Sequence, residues 1–156
     1  MSERRAHVLV IDDNLDNRTI FSTILEHAGY RVTCAETGPE GLEQATSDPP
    51  ELILLDLNLP GLDGWEVARR LKAESATSRV PILIVTAHAQ ASDELRAVET
   101  GCAGLLEKPV DPRELRDVVG RHLMHRPEDA PVALDPLLDA LTDPGADREP
   151  PSPPPA

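Results

Sequence analysis

The chain has 156 residues, sixteen prolines, two cysteines, three aromatic side chains and a formal net charge of −13. This length suffices for one domain with a real core, and the acidic balance argues against a nucleic-acid-binding surface; Phe21, Tyr30 and Trp65 make no stacking platform for single strands. No run reaches the roughly 20 apolar residues of a membrane span, and MSERRAHVLVIDD meets two acids too early for a secretory signal, so a cytoplasmic protein with neither nucleic-acid nor membrane partners is expected.

Short apolar runs alternate with stretches of helical period. His7–Ile11 reads as a strand. Phe21, Ile24, Leu25 and Ala28 follow at i, i+3, i+4, i+7, and Gly29 ends that helix. Arg31–Ala35 is a second, more polar strand, and Gly38-Pro39-Glu40 opens a helix with Pro39 in its first turn. Residues 51–55 are the third strand. Gly64, Val67, Ala68 and Leu71 form the next helical stripe, which predicts Trp65 off the core face. Residues 81–85 are the fourth strand. A helix over about 91–100 follows, with Leu95 and Val98 expected inward and Gly101 closing it. Residues 103–106 are a short fifth strand, and Asp111-Pro112 opens a last helix carrying Leu115, Val118, Val119 and His122 on one face. Five β-α repeats imply a parallel sheet covered on both faces by helices.

In such sheets ligands bind beyond the carboxyl ends of the strands. The residues there are Asp12-Asp13 after strand one, Asp56 after strand three, Thr86 after strand four and Lys108-Pro109 after strand five. Close carboxylates repel by about 4 kcal/mol per pair at 4 Å and an effective dielectric near 20. A hard divalent cation removes that problem. Mg²⁺, which takes one or two carboxylates plus waters and phosphate oxygens, suits the set. Asp13 and Asp56 are the candidate direct ligands, Asp12 would hold a metal-bound water, and the Asn58 main-chain carbonyl could supply another oxygen. Lys108 opposite these acids suits a dianionic phosphoryl group, the Thr86 hydroxyl can donate to it, and Asp56 can act as nucleophile to give an acyl phosphate.

The segments IDDN (11–14), LLDLNLPGLDG (54–64), VTA (85–87) and EKP (107–109) resemble the receiver domain of bacterial two-component response regulators over about residues 6–125. The resemblance implies a flavodoxin-like (βα)5 doubly wound sheet of strand order 2-1-3-4-5. It implies that Asp56 accepts a phosphoryl group from a histidine kinase or phosphotransfer protein, with Mg²⁺ at Asp12 and Asp13, Lys108 pairing with the phosphoryl group, and Thr86 as the switch hydroxyl. It further implies a cis bond before Pro109. Such a domain is no enzyme beyond its own phosphorylation and dephosphorylation, and works as a monomer or as a phosphorylation-dependent dimer. The family often carries an aromatic residue three positions before the lysine; this sequence has Leu105.

Three other readings fit less well. A phosphohydrolase forming an aspartyl phosphate carries a second Asp two residues after the nucleophile, where Asn58 stands. A flavin carrier needs a hydroxyl- or Gly-rich phosphate loop after strand one, where two acids stand. A phosphate-independent scaffold would not need the intact set of Asp12, Asp13, Asp56, Thr86 and Lys108.

The remaining polar residues point to smaller roles. Asp63 is expected to serve the turn and helix start. His7, His27, His88, His122 and His125 form no zinc pattern, and Cys34 and Cys102 show neither metal nor redox spacing. His88 and Asn58, each two residues past a site residue, are candidates for controlling water access to the acyl phosphate. Residues 127–156 hold nine of the prolines and seven acids against one base, Arg148, so a globular domain 1–126 and a disordered acidic tail are expected, with no attached output domain. Leu134, Leu137, Leu138 and Leu141 give that tail a possible amphipathic helix at 134–142. The expected contact surface for a downstream protein is about residues 90–124, with Arg96, Glu99, Arg113 and Arg116 exposed.

Overall fold

The structure, a computed structural model, describes residues 5–124. The expected tail 127–156, its helix at 134–142, the domain limit at 126 and His125 lie outside the described residues. The order is β1 (His7–Ile11), α1 (Leu15–His27), β2 (Arg31–Ala35), α2 (Gly38–Ser47), β3 (Leu52–Asp56), α3 (Gly64–Ala73), β4 (Ile82–Thr86), α4 (Ala91–Thr100), β5 (Gly104–Glu107) and α5 (Pro112–Met124). All strand pairings are parallel and the sheet order is β2-β1-β3-β4-β5, as expected.

The central strands β1, β3 and β4 are buried throughout, which is why they read as unbroken apolar runs and not as alternation. Their side chains still divide by parity. Leu9, Ile11, Ile53, Leu55, Ile82 and Ile84 face one way and form a cluster with Ala45, Val67, Ala68, Leu71 and Ala97 from α2, α3 and α4. Val8, Val10, Leu52, Leu54, Leu83 and Val85 are buried on the opposite face; Phe21, Leu25, Leu115 and Val119 of α1 and α5 are buried too. The compact unit carrying the sheet runs to Val119.

Helix starts follow the sequence signals. Asn14, Thr37 and Asp63 are N-caps whose side chains accept from Asn17, Glu40 and Trp65 N–H groups, and Pro39 sits in the first turn of α2. The Asp63 cap bears out its expected role at the helix start. The Asp111 carboxylate accepts from Arg113 N at 2.8 Å as α5 begins, and Gly101 closes α4 at φ +89°.

The bounds of three strands lie one residue later than expected, so that Asp56 and Thr86 are the last residues of β3 and β4 and do not follow them. Two expectations about facing fail. Trp65 belongs to the buried cluster at 5% exposure. It stands about 60° around the helix from Ala68, on the flank of the stripe, and an indole is large enough to reach inward from there. Leu95 and Val98 are 61% and 73% exposed; Ala97 takes the inward position at 4%. The small side chain lets α4 lie close to the sheet, and the two larger ones then fall on the far side of the helix.

Candidate functional site

Parallel register brings the chemistry to one edge. Ile11 pairs with Leu55, so Asp12 comes level with Asp56, the end of β3; Thr86 pairs with Glu107, so Lys108 follows directly beside it. The sheet order reverses between β1 and β3, the position where open α/β sheets bind ligands. Main-chain bonds extend the sheet one step beyond the strands: Asp12 N donates to Ala35 O at 3.0 Å and Lys108 N to Thr86 O at 2.8 Å. The bond between Lys108 and Pro109 is cis.

Asp12, Asp13 and Asp56 each direct a carboxylate oxygen into one volume, all within 4.8 Å of one another. Asp12 and Asp56 are buried, at 1% and 3% exposure, and Asp13 is exposed. Lys108 Nζ lies 3.5 Å from Asp12 Oδ2 and 3.4 Å from Asp56 Oδ2. The other oxygen of each buried acid accepts a main-chain N–H two residues on, from Asn14 at 2.9 Å and Asn58 at 3.1 Å. These bonds curl both loops around their own carboxylates.

Electrostatics leave this arrangement incomplete. Burial pushes the Asp56 carboxyl above its ordinary range; the Asn58 N–H opposes that, the neighbouring Asp12 adds to it, and Lys108 offsets part of it. By formal charge, three carboxylates and one ammonium carry −2, which one divalent cation cancels. Asp12 Oδ2 is buried and takes part in no hydrogen bond among the described residues. An all-oxygen donor set with a buried oxygen that has only the Lys108 ion pair fits a hard cation such as Mg²⁺.

Thr86 is buried at the same edge, its hydroxyl accepting from His88 N at 3.4 Å. His88 and Asn58 are exposed and line a cleft of about 720 Å³ together with Asp13, Thr86, Asp63 and Trp65. The cleft thus joins the sites after β1, β3 and β4. Leu105 on β5 pairs with Ile84 and packs against the core cluster. Gly64 closes the loop after β3: its N–H donates to Leu57 O at 3.2 Å, and a Cβ there would meet Leu57 Cα at 2.7 Å and Asp56 O at 2.8 Å.

The structure therefore gathers Asp12, Asp13, Asp56, Thr86 and Lys108 as expected, with Asn58 and His88 at the rim. Sequence reading did not single out Arg18 or the pairing of Arg96 with Trp65. Arg18 Nη1 donates to the Asp12 main-chain carbonyl at 2.9 Å, and Arg96 lies over the Trp65 ring, 5.1 Å from its centroid. The available signal for Arg18 was its place one turn into α1, four residues after the N-cap Asn14. Among the described residues no histidine or cysteine joins a metal-ligand group, and no helix is long and apolar enough to cross a membrane.

Comparison with known proteins agrees with this geometry. Residues 8–120 match the family model for the response regulator receiver domain. Protein PilH of Pseudomonas aeruginosa is 34% identical over 110 residues, 70% of this chain and 91% of PilH. Response regulator PleD of Caulobacter vibrioides is 37% identical over 106 residues, 68% of this chain but only 23% of PleD, so the chain matches under a quarter of that relative. The receiver domain of a sensor histidine kinase of Pseudomonas aeruginosa PAO1, solved with a magnesium ion coordinated in its active-site cleft, superposes with a TM-score of 0.71 at 32% identity, covering 77% of this chain and 98% of that one. With its strand order, its acidic edge and these matches in accord, the chain belongs to the response regulator receiver domain family of two-component signalling.

Proposed function

We propose that the chain is a phosphorylation-dependent signalling protein of a two-component or phosphorelay system, and that Asp56 is its phosphoacceptor. The observation that carries this reading is the Lys108 ammonium between two buried acids, 3.5 Å from Asp12 and 3.4 Å from Asp56, at the sheet edge where β4 ends on Thr86. The Asp56 carboxylate attacks phosphorus of a phosphohistidine on a histidine kinase or phosphotransfer protein. A P–O bond forms, the donor's P–N bond breaks, and the donor imidazole keeps that electron pair; the product is an acyl phosphate on Asp56. An ionised carboxylate needs no general base, and Lys108 favours the ionised form that burial disfavours. Lys108 then pairs with the transferred group, and Thr86 Oγ1 is free to donate to one of its oxygens.

Asp13, Asp56 and the Asn58 carbonyl would hold Mg²⁺ directly and Asp12 through a water. Bound there, the ion offsets the charge of the acids and of the phosphoryl oxygens. Signalling would proceed in the cytoplasm through protein contacts on the α4–β5–α5 surface, where Leu95, Val98, Arg96, Glu99, Arg113 and Arg116 are exposed.

The test is incubation of the full chain with acetyl phosphate, with and without Mg²⁺, beside Asp56→Ala, read by intact mass. A single Mg²⁺-dependent phosphoryl adduct, missing in the variant, is expected. A folded wild-type chain that gains no adduct and also fails to bind beryllofluoride would overturn the reading in favour of a phosphate-independent scaffold.

A further inference from the structure

We infer that Arg18 is a positioning residue for the acidic pair, holding the Asp12–Asp13 peptide plane so that both carboxylates face a common cation. This inference rests on the proposed metal site and adds to it the residue that aims the ligands. Three successive peptide units carry the acids, and each is held by a different partner. The N–H of Asp12 donates to Ala35 O at 3.0 Å, across the sheet. The C=O of Asp12, which belongs to the peptide leading into Asp13, accepts from Arg18 Nη1 at 2.9 Å. The N–H of Asn14 donates back to Asp12 Oδ1 at 2.9 Å. The middle clamp is the only one of the three supplied by a side chain from a helix.

Arg18 is itself built to hold position. Its side chain is 12% exposed, and Nη2 faces Glu36 Oε2 at 3.5 Å just past the end of β2. The planar fork thus ties α1, the loop after β1 and the loop after β2 together. Because Asp13 is exposed, the direction of its carboxylate depends on the backbone beneath it. A shift of the backbone at 12–13 would redirect the side chains of Asp12 and Asp13 and break up the group whose oxygens now lie within 4.8 Å.

The sign of the effect separates positioning from plain electrostatics. Removing a cation near a dication site should tighten dication binding if charge alone matters. Removing a clamp on the ligands should weaken it, and groups that orient metal ligands are typically worth 10–100-fold in affinity. The experiment is calorimetric titration of the full chain with Mg²⁺ for wild type, Arg18→Met, Arg18→Lys and Glu36→Ala, alongside thermal unfolding in EDTA. Arg18→Met keeps the aliphatic stem and is expected to lose about tenfold or more in affinity. Arg18→Lys keeps one donor and should recover most of it, and Glu36→Ala, which removes only an exposed ion pair to Arg18, should have a much smaller effect than Arg18→Met. Because the lysine variant retains a charge and a donor, it tests the idea even if Arg18→Met folds poorly. Equal or tighter Mg²⁺ binding by Arg18→Met overturns the inference, as does a lysine variant as weak as the methionine one. Failure of the wild-type chain to bind Mg²⁺ overturns the metal-site reading, and this inference with it.

Discussion

Replacing Asp56 with Asn should stabilise the metal-free protein. The two nearest charges almost cancel at this carboxylate. Asp12, within 4.8 Å, repels it by at least about 3.5 kcal/mol, and Lys108 at 3.4 Å attracts it by about 5 kcal/mol at an effective dielectric of 20. Exposed Asp13 adds under about 1 kcal/mol of repulsion in water-like dielectric. What remains is burial: at 3% exposure the ion has lost nearly all its hydration, a cost of several kcal/mol. Burial is also the largest cause of the raised Asp56 pKa. The amide keeps an acceptor for Asn58 N and leaves Lys108 its contact with Asp12, so little is lost in exchange. The net gain should be about 2 kcal/mol, or roughly 6–12 °C in Tm for a domain of this size.

The pH dependence follows from the direction of the shift. A carboxyl whose folded pKa is raised contributes stability fully below its unfolded value, 3.8, and loses that contribution as pH rises through the folded pKa. Asp56→Asn and wild type should therefore have similar stability near pH 4, while the variant should be clearly more stable at pH 7.5. Mg²⁺ should narrow the gap at pH 7.5 by stabilising wild type more. Urea and thermal unfolding in EDTA at both pH values measure this. An Asp56→Asn protein no more stable than wild type in EDTA at pH 7.5 would refute the claim that burial outweighs the Lys108 ion pair.

Lys108→Met leaves Asp12 and Asp56 facing each other without their cation; urea unfolding in EDTA at pH 7.5 should show a loss of about 2–4 kcal/mol, most of it recovered in the double variant with Asp56→Asn. Gly64→Ala forces a Cβ to within 2.7–2.8 Å of backbone atoms of Leu57 and Asp56, so it should cost about 1–3 kcal/mol in the same assay and lower the yield of phosphoryl adduct. Arg96→Met should change stability by under about 1 kcal/mol yet shift the emission of Trp65, the sole tryptophan, to the red; unchanged emission would show that Arg96 does not shield the ring. His88→Ala should change the rate at which the acyl phosphate is lost, followed by adduct mass over time, and an unaltered rate would remove His88 from that role.

The site was legible because each of its residues follows an apolar run that could be recognised from composition alone. Asp12, Asp56, Thr86 and Lys108 are separated widely in the chain, and only the parallel register makes them neighbours, but that register follows from five repeats of one unit. Facing was harder to read wherever an apolar side chain did not mark the inward side. On α4 the contact with the core is made by Ala97, which carries almost no hydropathy signal, while Leu95 and Val98 carry a strong one and point away. Trp65 failed for the opposite reason. Its angular position lies outside the stripe, yet its size carries it into the core, and the Arg96 guanidinium closes over it from the neighbouring helix. These two misreadings concern one place, since α4 leans on α3 through small and aromatic groups and turns its larger apolar residues outward. A helix held in this way has a modest apolar footing on its own domain and a conspicuous apolar face toward solvent. The cleft reaches Trp65, beneath that footing, and Asp93 in the first turn of α4. The cleft lined by Asp13, Asn58 and Thr86 therefore shares a wall with the helix that presents Leu95 and Val98. For a signalling domain this places the exposed apolar surface one packing layer away from the proposed phosphoacceptor.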